Sequence, residues 1–201
     1  MKRFEYQGFR FLVFDDVYYP SDDTFLLMDN LKVFVNDHVL DMGTGCGVLA
    51  ILAGSIAKKV VGVDISEKAV LNARINVLLN RMEARVEVRL GNLWGALKPN
   101  EQFSLILFNP PYLPINASER RTGIIEKAWD GGENGRAVID AFLSNFDKFL
   151  EDTGRVQMVL SSLSGIERTI SYLEKKGFQV KKEAEKKFFF EKLVLITFKR
   201  E

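Results

Sequence analysis

The sequence predicts an α/β protein: a doubly wound, mostly parallel sheet of seven strands, with helices on both faces and an antiparallel hairpin at the C-terminal end. Three observations predict it. Apolar runs of strand length alternate with stretches of helical spacing through most of the 201 residues, the pattern of successive strand–helix units whose strands lie parallel. Two of these runs end in segments of loop chemistry, Asp41-Met42-Gly43-Thr44-Gly45-Cys46-Gly47 and Asn109-Pro110-Pro111-Tyr112. The chain closes on two strand-like runs, 178–185 and 192–199, joined by a short link.

Taken in order, residues 6–13 around Gly8 predict a short hairpin. Ser21 followed by Asp22 and Asp23 is a helix start, and Phe25, Leu26, Met28, Leu31 and Phe34 keep helical spacing as far as Val35. A strand is expected at 38–41, a helix at 47–57 and a strand at 60–64. The helix at 66–81 opens on Ser66-Glu67 and sets Ala69, Val70, Ala73 and Val77 on one face. Strands follow at 84–90, alternating through Val86 and Val88, and at 103–108. A helix is expected over 136–150, a strand over 155–161 and a helix over 164–176 stopped by Gly177. The stretch 110–135 has no regular pattern. Segments that long in compact domains are usually functional, and this one leaves a strand at the C-terminal edge, where open α/β sheets bind ligands.

The chain is 47% hydrophobic and 27% charged, with a net charge of +1. That balance belongs to a soluble globular protein and gives no electrostatic footprint for a polyanion, which counts against nucleic acid as the partner. Cys46 is the single cysteine, so no intrachain disulfide and no cysteine-built zinc site can form, and no metal site is expected. A reducing compartment fits this usage. The first residues, Met1-Lys2-Arg3-Phe4-Glu5-Tyr6, lack the apolar core of a signal peptide. The most apolar stretch, 39–57, holds Asp41 and four glycines and reads as strand, loop and helix, not as a membrane span. A cytoplasmic protein without membrane association is expected.

Glycines between a strand and a helix let the backbone turn sharply and approach a ligand closely. The spacing here is G-x-G-x-G with Asp41 just before it, unlike the dinucleotide fingerprint. A carboxylate there would repel a pyrophosphate and favour the ammonium of a bound amino acid. Asp64, at the next strand's end, is suited to accept hydrogen bonds from two ribose hydroxyls, and Asn92, after the third strand, to pair with an adenine amino group. An amino acid, a ribose and an adenine in sequence describe S-adenosylmethionine. The loop alone stays open between a nucleotide site and a structural turn.

Asn109-Pro110-Pro111-Tyr112 is the sharper signal. Two prolines after a strand end the ladder and stiffen the turn. The Asn109 side chain and the Pro110 carbonyl offer two acceptors for one NH2 group, and Tyr112 offers a flat face for a planar acceptor. The chemistry this suits is in-line methyl transfer driven by positioning.

These segments resemble the HemK-type methyltransferases, which modify the side-chain amide of the glutamine in the GGQ motif of class I peptide release factors. The resemblance spans nearly the whole chain. Val17-Tyr18-Tyr19-Pro20-Ser21-Asp22-Asp23-Thr24-Phe25-Leu26-Leu27 looks like the N-terminal signature of the short archaeal and eukaryotic branch, and Ala128-Trp129-Asp130-Gly131-Gly132-Glu133-Asn134-Gly135-Arg136 like its segment after the NPPY motif. The resemblance implies a Rossmann-like class I fold. It implies S-adenosylmethionine contacts from Thr24, Asp41, Gly43, Gly45, Asp64, Ile65, Asn92, Leu93 and Asn109, and catalytic contacts to the glutamine amide from Asn109, Pro110 and Tyr112. Asn92 departs from relatives that often carry an acid there; an amide still pairs with adenine. The chain then divides as one domain, with an N-terminal hairpin and helix (1–35), a donor-binding half (36–109) and an acceptor loop with the C-terminal half (110–201). The branch commonly works with a small zinc-binding activator that pairs along an edge strand, for which 84–90 is the candidate; an ordinary amphipathic strand is the plainer reading.

NPPY is shared with exocyclic-amine methyltransferases of DNA and RNA, which remain the alternative, opposed by the near-neutral charge and the lack of a target-recognition domain. Lysine methylation is a further alternative, although an ammonium needs a base. A non-catalytic binder would not need an intact NPPY with Asp64. His38 reads as a surface residue, Phe188-Phe189-Phe190 as hairpin core packing with a partner surface the alternative, and the lysines around 181–187 as a solvated face with steering toward ribosome-bound or nucleic-acid partners the alternative. Arg120, Arg121, Glu126 and Trp129 are candidates to touch the substrate.

Overall fold

The computed structural model describes residues 1–115 and 129–201. An N-terminal hairpin, β1 (Lys2–Tyr6) and β2 (Phe9–Val13), turns through Gln7 and Gly8, both at positive φ, as a two-residue hairpin turn requires. Helix α1 (Asp22–Asp29) follows. Then come β3 (His38–Met42), α2 (Val48–Gly54), β4 (Lys59–Asp64), α3 (Glu67–Leu79), β5 (Val86–Leu90) and β6 (Phe103–Phe108). The second half holds α4 (Ala137–Leu143), α5 (Phe146–Phe149), β7 (Leu150–Ser161), α6 (Ile166–Lys175) and the hairpin β8 (Phe178–Lys187) and β9 (Lys192–Arg200).

Seven strands form one sheet in the order β5-β4-β3-β6-β7-β9-β8. Only β9 runs against the others, antiparallel to both β7 and β8. The chain winds outward from β3 through β4 to β5, then returns to the other side of β3 with β6. That reversal between β3 and β6 is the switch point at which doubly wound sheets bind ligands. One apolar layer packs α2, α3 and the N-terminal hairpin on one face, centred on Phe11, Ile51, Ala73 and Leu105. The other packs α4, α5 and α6 around Phe108, Phe142, Phe146 and Phe198.

The N-terminal hairpin is held to α3 by side-chain amides. Asn72, Asn76 and Asn80 lie four residues apart on one helix face. Their Oδ1 atoms accept from the backbone N–H groups of Phe14, Leu12 and Arg10 at 2.9, 2.9 and 3.0 Å. Their Nδ2 atoms donate back, Asn72 and Asn76 to the Leu12 carbonyl and Asn80 to that of Arg10. Four helical residues rise about 6 Å and two strand residues about 6.7 Å, so the two ladders stay in step for three rungs. Asn76 also donates to the Cys46 carbonyl at 2.8 Å. Replacing fully buried Asn76 by alanine takes the partner from the Leu12 N–H and the Cys46 carbonyl and one of two donors from the Leu12 carbonyl, and is expected to cost about 3 kcal/mol, read as a lowered denaturation midpoint.

The fold departs from the sequence reading at four places. Helix α1 stops at Asp29, not Val35, because Gln157 of β7 captures the backbone on either side of Leu31, accepting from Lys32 N at 2.8 Å and donating to the Asn30 carbonyl at 3.0 Å. The helix expected over 136–150 breaks at Ser144-Asn145, and the chain enters β7 at Leu150 because that residue pairs with Phe103. His38 is half-buried with its ring 4.5 Å from that of Phe103 and its Nε2 without a partner among the described residues; burial holds its pKa below the usual value. Phe189 and Phe190 are 91% and 86% exposed at the β8–β9 tip, so they do not pack in a core. The lysines are a solvated face as expected, with Lys182 and Lys187 paired to Glu167 and Glu185. Among the described residues no helix is long and apolar enough to cross a membrane.

Candidate active site

A cavity of about 370 Å³ opens at the switch point. Thr24, Gly43, Gly45, Asp64, Ile65, Asn92, Leu93, Asn109, Pro110 and Tyr112 all line it. The two motifs, separated in sequence by β4, β5 and β6, meet here because β3 and β6 are neighbours.

At the β3 end, Gly43, Gly45 and Gly47 all sit at positive φ, +72°, +55° and +84°, which side chains other than glycine's rarely adopt. The Gly43 and Thr44 amides donate to the Val63 carbonyl, and the Gly45 amide to Asp64 Oδ2 at 2.9 Å. Asp64 Oδ1 accepts from Ser66 N at 2.9 Å. The carboxylate is thus aimed by backbone on both sides, and each oxygen keeps a lone pair for a further donor. Burial raises its pKa. Beyond it, Ile65 is half exposed, and Asn92 precedes a 3₁₀ turn, Leu93–Ala96, whose first residue is held at φ +46°. A left-handed leucine is strained backbone, found where a site fixes it.

Asp41 does not line the cavity. It is fully buried beneath the loop, where Thr44 Oγ1 donates to its Oδ2 at 2.6 Å and its Oδ1 has no partner among the described residues. Burial pushes its pKa from 3.8 up to about 7. Between those values the folded chain holds a proton that the unfolded chain releases, so Asp41 favours folding most at low pH and its contribution is lost as pH rises through about 7. The stability advantage of the wild type over Asp41→Asn is therefore expected to shrink as pH rises from about 4 to about 7. Urea melts across that range check it, and a constant difference would contradict the assignment.

At the β6 end, Asn109 Nδ2 donates to Thr24 Oγ1 at 3.2 Å, and Asn109 Oδ1 is buried with no partner among the described residues. Asp23, which the sequence reading did not select, is buried at the centre of the wall. It accepts from Thr24 N at 2.5 Å, from Thr24 Oγ1 and Tyr18 Oη at 3.1 Å, and from Tyr112 Oη at 3.3 Å. Burial and this carboxylate hold both phenols well above the usual range, so they remain donors. The available signal was Asp23 beside Thr24 in the Tyr18-to-Leu27 signature. Asp16 and Val17, after the hairpin, also line the cavity and were not selected. Cys46 is a buried filler, as expected, its thiol pushed up to about 12 by burial.

The segment after NPPY is clasped by the second signature. Leu113 N donates to the Trp129 carbonyl at 3.0 Å, and Gly131 N to the Leu113 carbonyl at 2.9 Å. Arg136 is buried, bonded to Asp140 and to the Ser164 carbonyl at 2.6 Å, tying α4 to the start of α6. Trp129 lies on the cavity wall; Arg120, Arg121 and Glu126 lie outside the described residues.

Sheet order, switch-point cavity and terminal hairpin together define a class I methyltransferase fold. Among solved structures, the Mtq2–Trm112 complex of E. cuniculi, responsible for methylation of the eRF1 translation termination factor, superposes with a TM-score of 0.67 at 22% identity, over 92% of this chain and 99% of that one. The methyltransferase small domain family matches residues 21–190, and the chain belongs to that family, in its HemK-type branch. A protein of Methanocaldococcus jannaschii, named provisionally as a protein N5-glutamine methyltransferase, is 37% identical over 96% of both chains. Methyltransferase HEMK2 of Homo sapiens is 31% identical over 83% of this chain and 81% of its own.

Proposed function

We propose that this chain transfers a methyl group from S-adenosylmethionine to the side-chain amide nitrogen of the GGQ glutamine in a class I peptide release factor. The carrying observation is Asn109 Oδ1, a buried acceptor without a partner among the described residues, on a cavity that Pro110 also lines. A target NH2 group would give one donor to Asn109 Oδ1 and the other to the Pro110 carbonyl. The names of the relatives support the acceptor: glutamine methyltransferases in Methanocaldococcus jannaschii and Koribacter versatilis, and an eRF1 methyltransferase catalytic subunit in Schizosaccharomyces pombe.

The residues present fit the donor. The open glycine loop takes its amino-acid end, Asp64 its ribose hydroxyls, and Asn92 with Ile65 and Leu93 its base; Asp41 acts from beneath the loop. When bound, it supplies an electrophilic methyl on a sulfonium. The chain's own work is to hold the amide nitrogen in line through Asn109 and Pro110, with Tyr112 on its flank. The nitrogen's surplus proton leaves to solvent after transfer, so no strong base is required. Asp64→Ala is expected to weaken donor binding about 30-fold through two lost charged hydrogen bonds, measured by calorimetry with S-adenosylhomocysteine.

The edge strand β5 exposes Leu90, and α3, which packs against it, exposes Leu71 and Leu78; this is the surface for a small activator subunit, which the resemblance makes a zinc-binding protein. The Mtq2–Trm112 complex supports a partner subunit for a chain of this fold. The setting is the cytoplasm, with the translation machinery. The test is incubation with labelled S-adenosylmethionine and the host's class I release factor, with and without the activator. Label on the wild-type factor but not on one with GGQ changed to GGA is expected. Donor binding without label on the factor would move the acceptor to a nucleobase or a lysine.

A further inference from the structure

We propose that Asp23 is a positioning residue for methyl transfer: acting through the Thr24 hydroxyl, it decides which end of the Asn109 amide faces the acceptor nitrogen. The inference rests on the reading of an NH2 acceptor. An amide side chain has two nearly isosteric ends of opposite hydrogen-bonding character. Only the oxygen end can receive a target NH2; the nitrogen end would set donor against donor.

The polarity of the chain of hydrogen bonds settles the choice. A carboxylate only accepts, and Asp23 Oδ1 lies 2.5 Å from Thr24 N and 3.1 Å from Thr24 Oγ1. The one hydroxyl hydrogen of Thr24 is therefore committed to Asp23, and its oxygen can only accept from Asn109. Asn109 must meet it with Nδ2, as it does at 3.2 Å, which leaves Oδ1 buried and without a partner among the described residues, on a side chain that lines the cavity. Tyr18 and Tyr112 donate to the same carboxylate and hold it in place. Remove the acceptor at position 23 and the Thr24 hydroxyl is free to donate to Asn109 Oδ1, turning the amide end for end.

The arrangement needs an acceptor at position 23, not a charge or a base. Asp23→Asn keeps one: its carbonyl meets the two Thr24 donors, while its NH2 meets the two phenols, which rotate to accept. Asp23→Leu does not. Turnover is expected to fall about 30-fold in Asp23→Leu and in Thr24→Val, from a mispaired buried amide. Turnover should be at least about tenfold higher in Asp23→Asn than in Asp23→Leu, and in Thr24→Ser than in Thr24→Val.

Because Asp23→Leu risks misfolding, the Thr24 pair carries the test, alongside the side-chain amide resonance of Asn109 in ¹⁵N-labelled protein. A hydrogen-bonded shift in wild type and Thr24→Ser, lost in Thr24→Val, is expected. Full turnover of Thr24→Val, an unchanged Asn109 resonance in it, or an Asp23→Asn variant as slow as Asp23→Leu in folded protein would overturn the proposal. Should the wild type label no release factor, the acceptor reading fails, and the resonance comparison still decides the relay.

Discussion

Asn109→Ala is expected to lower methyl transfer about 1,000-fold, the scale for losing a preorganised polar group at the reacting centre, while donor affinity changes by less than about threefold. The separation follows from geometry. Asn109 follows β6 on the wall of the cavity, and its Oδ1 has no partner among the described residues. The glycine loop and Asp64 leave β3 and β4, and their hydrogen bonds to Val63, Asp64 and Ser66 do not pass through Asn109. Single-turnover rates beside calorimetric donor affinity make the measurement. Near-normal turnover would sink the acceptor-site assignment.

The second large effect is expected from a residue that need not touch the substrate. Gly135 sits at φ +70°, and a Cβ built on it would lie 2.3 Å from the Tyr112 carbonyl oxygen. Neither atom can yield cheaply, because Gly135 N is bonded to the Gly132 carbonyl and the next residue along from Tyr112, Leu113, is clasped to Trp129 and Gly131. Gly135→Ala is therefore expected to displace Pro110-Pro111-Tyr112. We expect a loss of about 3 kcal/mol in stability and a fall in turnover of at least about 100-fold, with the donor loop still competent to bind. Thermal melts and initial rates check this. Wild-type turnover in Gly135→Ala would show that the clasp does not set the acceptor geometry.

The sheet was legible because its strands are short apolar runs and its helices carry their period plainly. Val60 to Asp64 and Phe103 to Phe108 reach the structure with the bounds expected, within a residue. What local pattern cannot show is competition from distant residues. Nothing near Asn30 announces that Gln157 will take its carbonyl, and nothing near Leu150 announces Phe103. The exposed aromatic tip misled for the opposite reason, since a run of phenylalanines reads as core wherever it falls. In the site, residues marked by unusual chemistry stood out: paired prolines, spaced glycines, a carboxylate at a strand end. Asp23 did not, because an acid beside Asp22 in the first turn of a helix looks like an ordinary helix start. Asp41 looked like a ligand because the strand leads into the loop, but whether the side chain points up or under depends on the pleat.

The asparagine ladder has a kinetic consequence. Asp16, Val17 and Tyr18 roof the cavity and continue directly from β2. That strand is fastened to α3 by six side-chain hydrogen bonds and by no backbone pairing to the seven-stranded sheet. The first fifteen or so residues are therefore expected to open together, Phe11 and Val13 leaving the core as the ladder parts, while the seven-stranded sheet keeps its own hydrogen bonds. In hydrogen exchange the amides of Arg10, Leu12 and Phe14 would then share one opening rate, faster than that of β3, and a bound donor would slow all three together.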